Sequence, residues 1–196
     1  MPTYSSMIPV MERHRFDTAK LDAYLFRHIA GYRGGLEVRQ FDSGHSNPTF
    51  FLSAEMEDGK RRAFVLRKKP PGQLVPSAHQ VDREYRVITA LAKTGVPVAR
   101  THVLCADESV IGQMFYVMDA VEGRIFNDPA MAQQSKTERE AIFDSMNEVL
   151  ARLHQVDVAA VGLGDYGRTG QYVARQIARW SKQYAELKTE RIEAME

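Results

Sequence analysis

The sequence of 196 residues contains very little cysteine: Cys105 is the only one. A lone cysteine excludes an intramolecular disulfide framework and a cysteine-rich zinc site, so a reducing compartment, by default the cytoplasm, is expected. Long apolar runs are also lacking, since the longest is the stretch from Met114 to Met118. The residues from Met1 to Phe16 lack the apolar core of a signal peptide, so neither secretion nor a membrane span is predicted.

The sequence also lacks a charge of one sign and a histidine cluster. The formal net charge is +1 and the two signs are interspersed, which gives no electrostatic footprint for nucleic acid or an acidic membrane surface. The six histidines show no recognised metal-ligand spacing, and His102 with Cys105 is an isolated pair, so no metal site is predicted. A hydrophobic content of 44% is enough for one core, or for two small ones that share a hinge.

The first half of the chain has the pattern of strands joined by short turns. Leu36 to Phe41 reads as a short strand, and apolar and polar residues alternate from Phe50 to Met56. Asp58-Gly59 then predicts a hairpin turn into the strand from Ala63 to Lys68. These segments predict a three-stranded antiparallel meander.

Helices and two further strands surround this meander. Asp17 to Ala30 reads as a first helix, and a capping box at Ser77 predicts a helix that runs to about Lys93. Strands are predicted from Val98 to Leu104 and from Gln113 to Met118. The expected fold class is α+β, with a five-stranded antiparallel sheet and one main helix.

From Ser135 the sequence pattern changes to that of long amphipathic helices. Ser135 opens a second capping box and a long amphipathic helix, and a later helix carries Ile177 and Trp180 on one side. We expect an amino-terminal lobe over residues 1–121, a hinge over 122–134 and a partial helical lobe over 135–196. The charged run from Glu186 to Glu196 has no Gly or Pro terminator, which a frayed tail or a truncation would explain.

A cation and a carboxylate form the first candidate for a functional pair. If Phe64 and Leu66 face the hydrophobic core, alternation places Arg67 on the opposite face. Glu84 interrupts the apolar stripe of the predicted helix, and a carboxylate there requires a cationic partner. Arg67 is the first candidate and Lys68 the second. The alternative is that Glu84 is a solvated residue at the edge of the stripe.

Two loops add weaker candidates. The turn from Asp42 to Thr49 is rich in groups that can hold phosphate oxygens, although a structural hairpin favours the same residues. The connector from Asp119 to Gly123 follows an apolar strand and could present main-chain groups to a flat ligand, although an ordinary linker has the same pattern. Asp165 in Gly164-Asp165-Tyr166 is read as a loop residue.

Four segments together resemble the aminoglycoside phosphotransferase-like kinase family, which shares the protein-kinase fold. They are Gly44-His45-Ser46-Asn47-Pro48-Thr49, Val65-Leu66-Arg67-Lys68-Lys69-Pro70-Pro71-Gly72, Arg83-Glu84-Tyr85-Arg86-Val87 and Met118-Asp119-Ala120-Val121-Glu122-Gly123-Arg124. They are most similar to the subgroup associated with acyl-CoA dehydrogenases. The resemblance covers essentially the whole chain.

The resemblance implies a nucleotide site. The loop from Ser43 to Asn47 would cover the phosphates, and Arg67 would stand where the family has a lysine, paired with Glu84. The main chain of Asp119 and Val121 would meet adenine, with Met118 behind it. The implied nucleotide-binding residues are Ser43, Gly44, His45, Ser46, Asn47, Val65, Arg67, Glu84, Met118, Asp119 and Val121. Arginine instead of lysine is a departure, because its geometry at phosphate differs. The implied cofactor is ATP or GTP.

The family's catalytic His-Gly-Asp motif has no counterpart in these 196 residues. We therefore assign no catalytic and no metal-binding residue, and expect Mg²⁺ binding only in a complete family member. The expected function is that of the amino-terminal part of an ATP-dependent phosphotransferase, inactive alone, whose complete form would phosphorylate a small hydroxylated acceptor, such as an acyl-CoA-like molecule. The alternative is a non-catalytic nucleotide-binding or protein-interaction module. Exposed apolar surface on the later helices predicts self-association.

Overall fold

The computed structural model describes residues 6–42, 47–72, 79–126, 128–167, 170–187, 190 and 193–195. Six strands are found there: β1 (Met7–Ile8), β2 (Tyr32–Phe41), β3 (Thr49–Met56), β4 (Arg61–Lys68), β5 (Thr101–Cys105) and β6 (Phe115–Asp119). The helices of the same part are α1 (Thr18–His28), α2 (Val81–Leu91), α3 (Glu108–Ile111), α4 (Lys136–His154) and α5 (Tyr172–Leu187). Short 3₁₀ turns cover Glu12–His14 and Glu193–Met195.

All six strands pair antiparallel in one sheet, in the order β1-β2-β3-β4-β6-β5. The predicted meander is confirmed as β2, β3 and β4. Its second turn has Gly59 at φ 75°, a left-handed conformation that glycine adopts without a side-chain clash, and the Lys60 amide donates to Asp58 Oδ1 at 3.0 Å. The Asp-Gly pair therefore sets the hairpin that leads into β4.

The hydrophobic core lies between one face of the sheet and α1. Asp17 caps this helix by accepting hydrogen bonds from the amides of Ala19 and Lys20, both at 3.0 Å. The buried side chains of α1 pack against every second residue of the strands, because successive side chains of a strand point to opposite faces. The fully inaccessible members of this core are Leu21, Leu25, Phe50, Leu52, Ala54, Phe64, Leu66, Phe115 and Val117.

The second main helix, α2, packs against β5 and β6. Val81 and Leu91 are buried at its two ends, and Tyr85 meets Tyr116 edge-to-face with ring centroids 6.0 Å apart. Tyr116 is opposite Arg67 in the β4–β6 register, so α2 lies on the Arg67 face of the sheet. The helix that carries Glu84 is thus brought over the strand that carries Arg67.

Three details differ from the prediction. The sheet has a sixth strand, because the two residues of β1 pair with Phe41 and Gln40 at the edge of β2. The second helix begins at Val81 with Gln80 as its N-cap, not at Ser77, because His79 adopts a left-handed backbone (φ 57°) that a helix cannot include. Ser77 itself lies outside the described residues. Finally, α3 forms in the loop before β6, capped by Asp107.

The predicted capping box at Ser135 is confirmed, since its hydroxyl accepts from the Glu138 amide while the Glu138 carboxylate accepts from the Ser135 amide. The chain forms two compact units, residues 1–157 and residues 158–196. The first unit contains the sheet and α4, and the second contains α5. The lobe boundary at residues 122–134 stays a prediction. Among the described helices, none combines the length and the apolar character that crossing a bilayer requires.

Candidate functional site

Alternation along β4 separates two neighbouring cations. Phe64 and Leu66 are fully buried in the core under α1, so Arg67 faces α2, whereas Lys68 points to the core side and is only 3% exposed. The Lys68 Nζ lies 5.6 Å from the ring centroid of Phe16 and 5.9 Å from that of Phe50. Of the two candidates for pairing with Glu84, the structure therefore selects Arg67.

Arg67 and Glu84 form the predicted ion pair. The Nε atom of Arg67 lies 2.9 Å from Oε2 of Glu84, and each side chain is about one-third exposed (34% and 33%). The Nε–H is not directed at the carboxylate with hydrogen-bond geometry, so the contact is an ionic one. The alternative, that Glu84 is a solvated residue at the edge of the stripe, is therefore wrong.

Two further side chains hold the Glu84 carboxylate. Asn47 donates from Nδ2 to Oε1 at 3.0 Å, and Tyr116 donates from its hydroxyl to Oε2 at 3.2 Å. Tyr116 is only 1% exposed, and burial together with the nearby Glu84 charge raises the pKa of its phenol. The phenol therefore stays protonated and can donate. Both Glu84 oxygens are thus occupied by partners from β4, β6 and the segment that precedes β3.

Asn47 continues this network to a residue that the sequence analysis did not select. Its Oδ1 lies 2.9 Å from Nδ1 of His79, and its side chain is buried with 4% of the residue exposed. His79 precedes α2 by two residues and carries the left-handed backbone described above. No local pattern indicated this contact, because the two residues are 32 positions apart.

The connector after β6 was the second part of the predicted site. The Asp119 amide donates to the Arg100 carbonyl at 2.8 Å and the Ala120 amide to the Ala63 carbonyl at 3.3 Å. Val121 follows with 69% of its surface exposed. Within the described part of the chain, no hydrogen bond involves the Val121 amide. The Val121 amide is therefore not engaged by another described residue at the position where the resemblance implies adenine.

The Asp119 side chain is fixed on the core side of the sheet. His102 Nε2 lies 2.7 Å and Arg62 Nη2 2.8 Å from its Oδ1. Burial raises the pKa of this carboxyl, but the hydrogen bonds and charges of His102 and Arg62 outweigh that effect, and the net pKa is lowered. The sequence analysis selected Asp119 for its carbonyl and missed both side-chain partners.

The remaining predicted residues fall into two groups. Val65 and Met118 are cross-strand partners on the Arg67 face, so they line the same side of the sheet as the ion pair. Ser43, Gly44, His45 and Ser46 lie outside the described residues, so their phosphate contact stays a prediction. Asp165 lies in a turn, as expected of a loop residue.

A cavity of about 460 Å³ lies elsewhere in the first unit. Its lining includes Arg13, His14, Gln40, Asp42 and Pro70, and it shares no residue with the Arg67–Glu84 network. Over the described ranges, no three His, Cys, Asp or Glu side chains are grouped in a way that could hold a metal ion. In this part of the chain, the polar groups beside Arg67 are therefore the Glu84 carboxylate, the Asn47 amide and the Tyr116 phenol.

Comparison with known proteins shows which family and which relatives this chain is similar to. The model of the phosphotransferase enzyme family matches residues 37–196. Acyl-CoA dehydrogenase family member 11 of Mus musculus is 44% identical over 196 residues, which are 98% of this chain and 24% of that protein. Acyl-CoA dehydrogenase family member 10 of Mus musculus is 46% identical over 189 residues, covering 96% of this chain and 17% of that protein.

A solved structure agrees at the level of the fold. A crystal structure from Ralstonia eutropha, provisionally described as an aminoglycoside phosphotransferase, has a TM-score of 0.74 and 48% sequence identity. The alignment covers 92% of this chain and 50% of that one. The chain therefore spans about a quarter or less of these curated relatives and half of the structural neighbour.

Proposed function

Because this chain belongs to the phosphotransferase enzyme family, we propose that its sheet and α2 form the nucleotide-binding lobe of an ATP-dependent small-molecule kinase. The observation that carries the proposal is the ion pair of Arg67 with Glu84, 2.9 Å apart. A guanidinium whose position is fixed by a carboxylate is a suitable ligand for the oxygens of a di- or triphosphate. The pair lies on the same side of the sheet as Met118. In the connector that follows Met118, the Val121 amide has no hydrogen bond to another described residue.

The residues present fit a nucleotide better than they fit its metal. Arg67 would hold phosphate oxygens, and the main chain at Asp119 and Val121 would hold the base, with Met118 beside it. A bound nucleotide would supply the phosphoryl group. No cluster of carboxylates in the described part of the chain could hold Mg²⁺, so we derive no step through the metal.

The acceptor is inferred from the relatives alone. Their names refer to acyl-CoA dehydrogenases, and the sequence resembles the subgroup associated with those enzymes. We propose a hydroxylated acyl-CoA-like acceptor for a complete family member, with ATP or GTP as the phosphoryl donor. We further propose that these 196 residues alone do not transfer phosphate, because they contain no His-Gly-Asp motif to orient the attacking hydroxyl.

Calorimetric titration of ATP into the chain, with and without Mg²⁺, tests the binding part of the proposal. We expect saturable binding that Arg67→Ala and Glu84→Ala each weaken about tenfold or more, since a charge-assisted contact contributes roughly 1.5–3 kcal/mol. Arg61→Ala is the matched control: Arg61 has the same parity on β4 but lies at its other end, where it binds Ser53 and Glu37. Its loss should leave the affinity unchanged. Equal binding by all four proteins, or no binding by a folded parent, contradicts the proposal.

An alternative assigns the chain to a non-catalytic interaction module. The observation behind it is the exposed apolar surface of two helices: Phe143, Met146, Leu150 and Leu153 on α4, and Val173, Ile177 and Trp180 on α5. This reading predicts self-association without any nucleotide dependence. Exposed apolar surface predicts association under either reading, so sedimentation is combined with ATP calorimetry on the parent and on Trp180→Lys. Association that Trp180→Lys abolishes, together with no ATP binding by the parent, supports the interaction module alone.

A further inference from the structure

A chain of polar contacts connects the start of α2 to the sheet and back to α2. His79 Nδ1 lies 2.9 Å from Asn47 Oδ1, and Asn47 Nδ2 lies 3.0 Å from Glu84 Oε1. We propose that His79 is a positioning residue that orients the Asn47 amide and thereby holds the Glu84 carboxylate beside Arg67. The inference rests on the proposed nucleotide site and adds to it a residue that contacts neither Arg67 nor, by the proposal, the ligand.

The donors and acceptors along the contacts from His79 to Glu84 follow from the charge of the Glu84 carboxylate. An ionised carboxylate only accepts hydrogen bonds, so the Asn47 atom that faces Glu84 must be the Nδ2 donor. The Asn47 oxygen must then face His79, and Nδ1 of His79 must carry a proton. A neutral His79 is therefore held in the tautomer protonated at Nδ1.

The position of Asn47 makes this orientation consequential. Asn47 is 4% exposed, so a rotated amide could not exchange its protein partners for water. Its main-chain carbonyl accepts from the Thr49 hydroxyl at 3.1 Å, which anchors it at the start of β3. A flip of the amide would place its oxygen against the Glu84 carboxylate and its NH₂ against the His79 N–H.

The backbone of His79 is also fitted to this role. Its φ of 57° is left-handed, which among residues other than glycine is adopted most readily by Asn, Asp and His. Its carbonyl accepts from the Val81 amide at 3.0 Å, directly at the first turn of α2. The residue thus ties the beginning of α2 to the beginning of β3 through main chain and side chain together.

A matched pair of substitutions separates the role of the donor from that of shape. His79→Asn places an amide NH₂ at the position of Nδ1, whereas His79→Asp places an oxygen there, and both residues tolerate the left-handed backbone. We expect calorimetric ATP affinity to fall about five- to tenfold in His79→Asp and less than about twofold in His79→Asn. Equal affinities of the two variants would overturn the proposal.

A second measurement does not depend on nucleotide binding. Long-range ¹H–¹⁵N NMR spectra report which ring nitrogen of His79 carries the proton in the ligand-free chain. Protonation at Nδ1, with a shifted Asn47 side-chain amide signal in Glu84→Gln, supports the proposal. Protonation at Nε2 alone overturns it. If the folded parent binds no ATP, the proposed nucleotide site fails, while the tautomer still decides the role of His79.

Discussion

The two faces of the sheet treat neighbouring cations differently. On one face, the Arg67 guanidinium meets Glu84, whose carboxylate also accepts from Asn47 and Tyr116. On the other, Lys68 is 3% exposed, and no carboxylate of the described residues lies within ion-pair distance of it. Its Nζ lies 5.6 Å from the ring centroid of Phe16 and 5.9 Å from that of Phe50.

Under the proposed function, this difference separates a face that binds the nucleotide from a face that only packs in the core. A ligand anion requires a cation of fixed direction, and the Glu84 network supplies that direction to Arg67. The buried lysine has no such partner in the part of the chain that the structure describes, and its cation–π contacts, roughly 0.5–2 kcal/mol each, only offset part of its desolvation. Substitutions on the packing face should therefore change stability, and substitutions on the binding face should change affinity.

The largest expected effect is on the packing face. Phe50→Ala removes a fully buried ring from the core and should lower the free energy of unfolding by about 3–5 kcal/mol, measured by urea denaturation. The adjacent Phe51 is only half-buried and points to the opposite face. Phe51→Ala should cost less than half as much. Equal losses at the two positions would mean that the two faces do not differ in packing.

The next effect is on the binding face. Glu84→Gln removes the charge that pairs with Arg67 and should lower the free energy of unfolding by about 1–2 kcal/mol. The same substitution should weaken ATP binding about tenfold, because Arg67 is no longer held in position. Glu55→Gln is the control, because Glu55 is a 62% exposed partner of Arg61 at 3.7 Å. It should change stability by less than about 0.5 kcal/mol. An unchanged affinity in Glu84→Gln would contradict the assignment of this face.

A third substitution should stabilise the protein. Burial lowers the pKa of Lys68, so its charged form is disfavoured in the folded state. The cost of the lysine is full below its folded pKa and disappears as the pH approaches 10.5, the value of the free side chain. Lys68→Met should therefore add about 1 kcal/mol at pH 7, and the gain should shrink in alkaline solution. Lys60→Met, in the exposed hairpin turn, should add nothing.

The smallest effect concerns a charge on the packing face that does have partners. Because the folded pKa of Asp119 is lowered, it contributes stability above pH 3.8, its ordinary value, and loses it as the pH falls through the folded pKa. Asp119→Asn should cost less than about 1 kcal/mol at pH 7, and acid titration should show the difference from the parent shrinking below pH 3.8 and vanishing below the folded pKa. Asp144→Asn on the exposed surface of α4 is the control and should change stability by less than about 0.5 kcal/mol at pH 7.

The sequence was sufficient where the signal is local. The Asp58-Gly59 hairpin, the capping box of α4 and the glutamate that interrupts a helical stripe each depend on residues within a few positions of one another, and the structure has all three. The interrupted stripe, with the alternation along β4, also predicted that Glu84 pairs with a cation of that strand.

Long-range contacts carried no such signal. β1 is only two residues long and pairs with residues more than 30 positions away, and a strand this short has no readable alternation. Tyr116 and Glu84 are 32 positions apart, as are His79 and Asn47. The left-handed turn at His79 that delays the start of α2 depends on its own tertiary contacts, so the capping pattern at Ser77 gave too early a start.

The opposite placement of Arg67 and Lys68 has a consequence for the evolution of this sheet. Because side chains of a strand alternate with a period of two, a shift of β4 by one residue would exchange the two cations. The register of β4 against β3 is set at the far end of the hairpin, by the turn at Asp58-Gly59. A single-residue insertion there would turn the guanidinium toward the core and the lysine amine toward α2, so the length of a surface turn determines which cation the proposed nucleotide would meet.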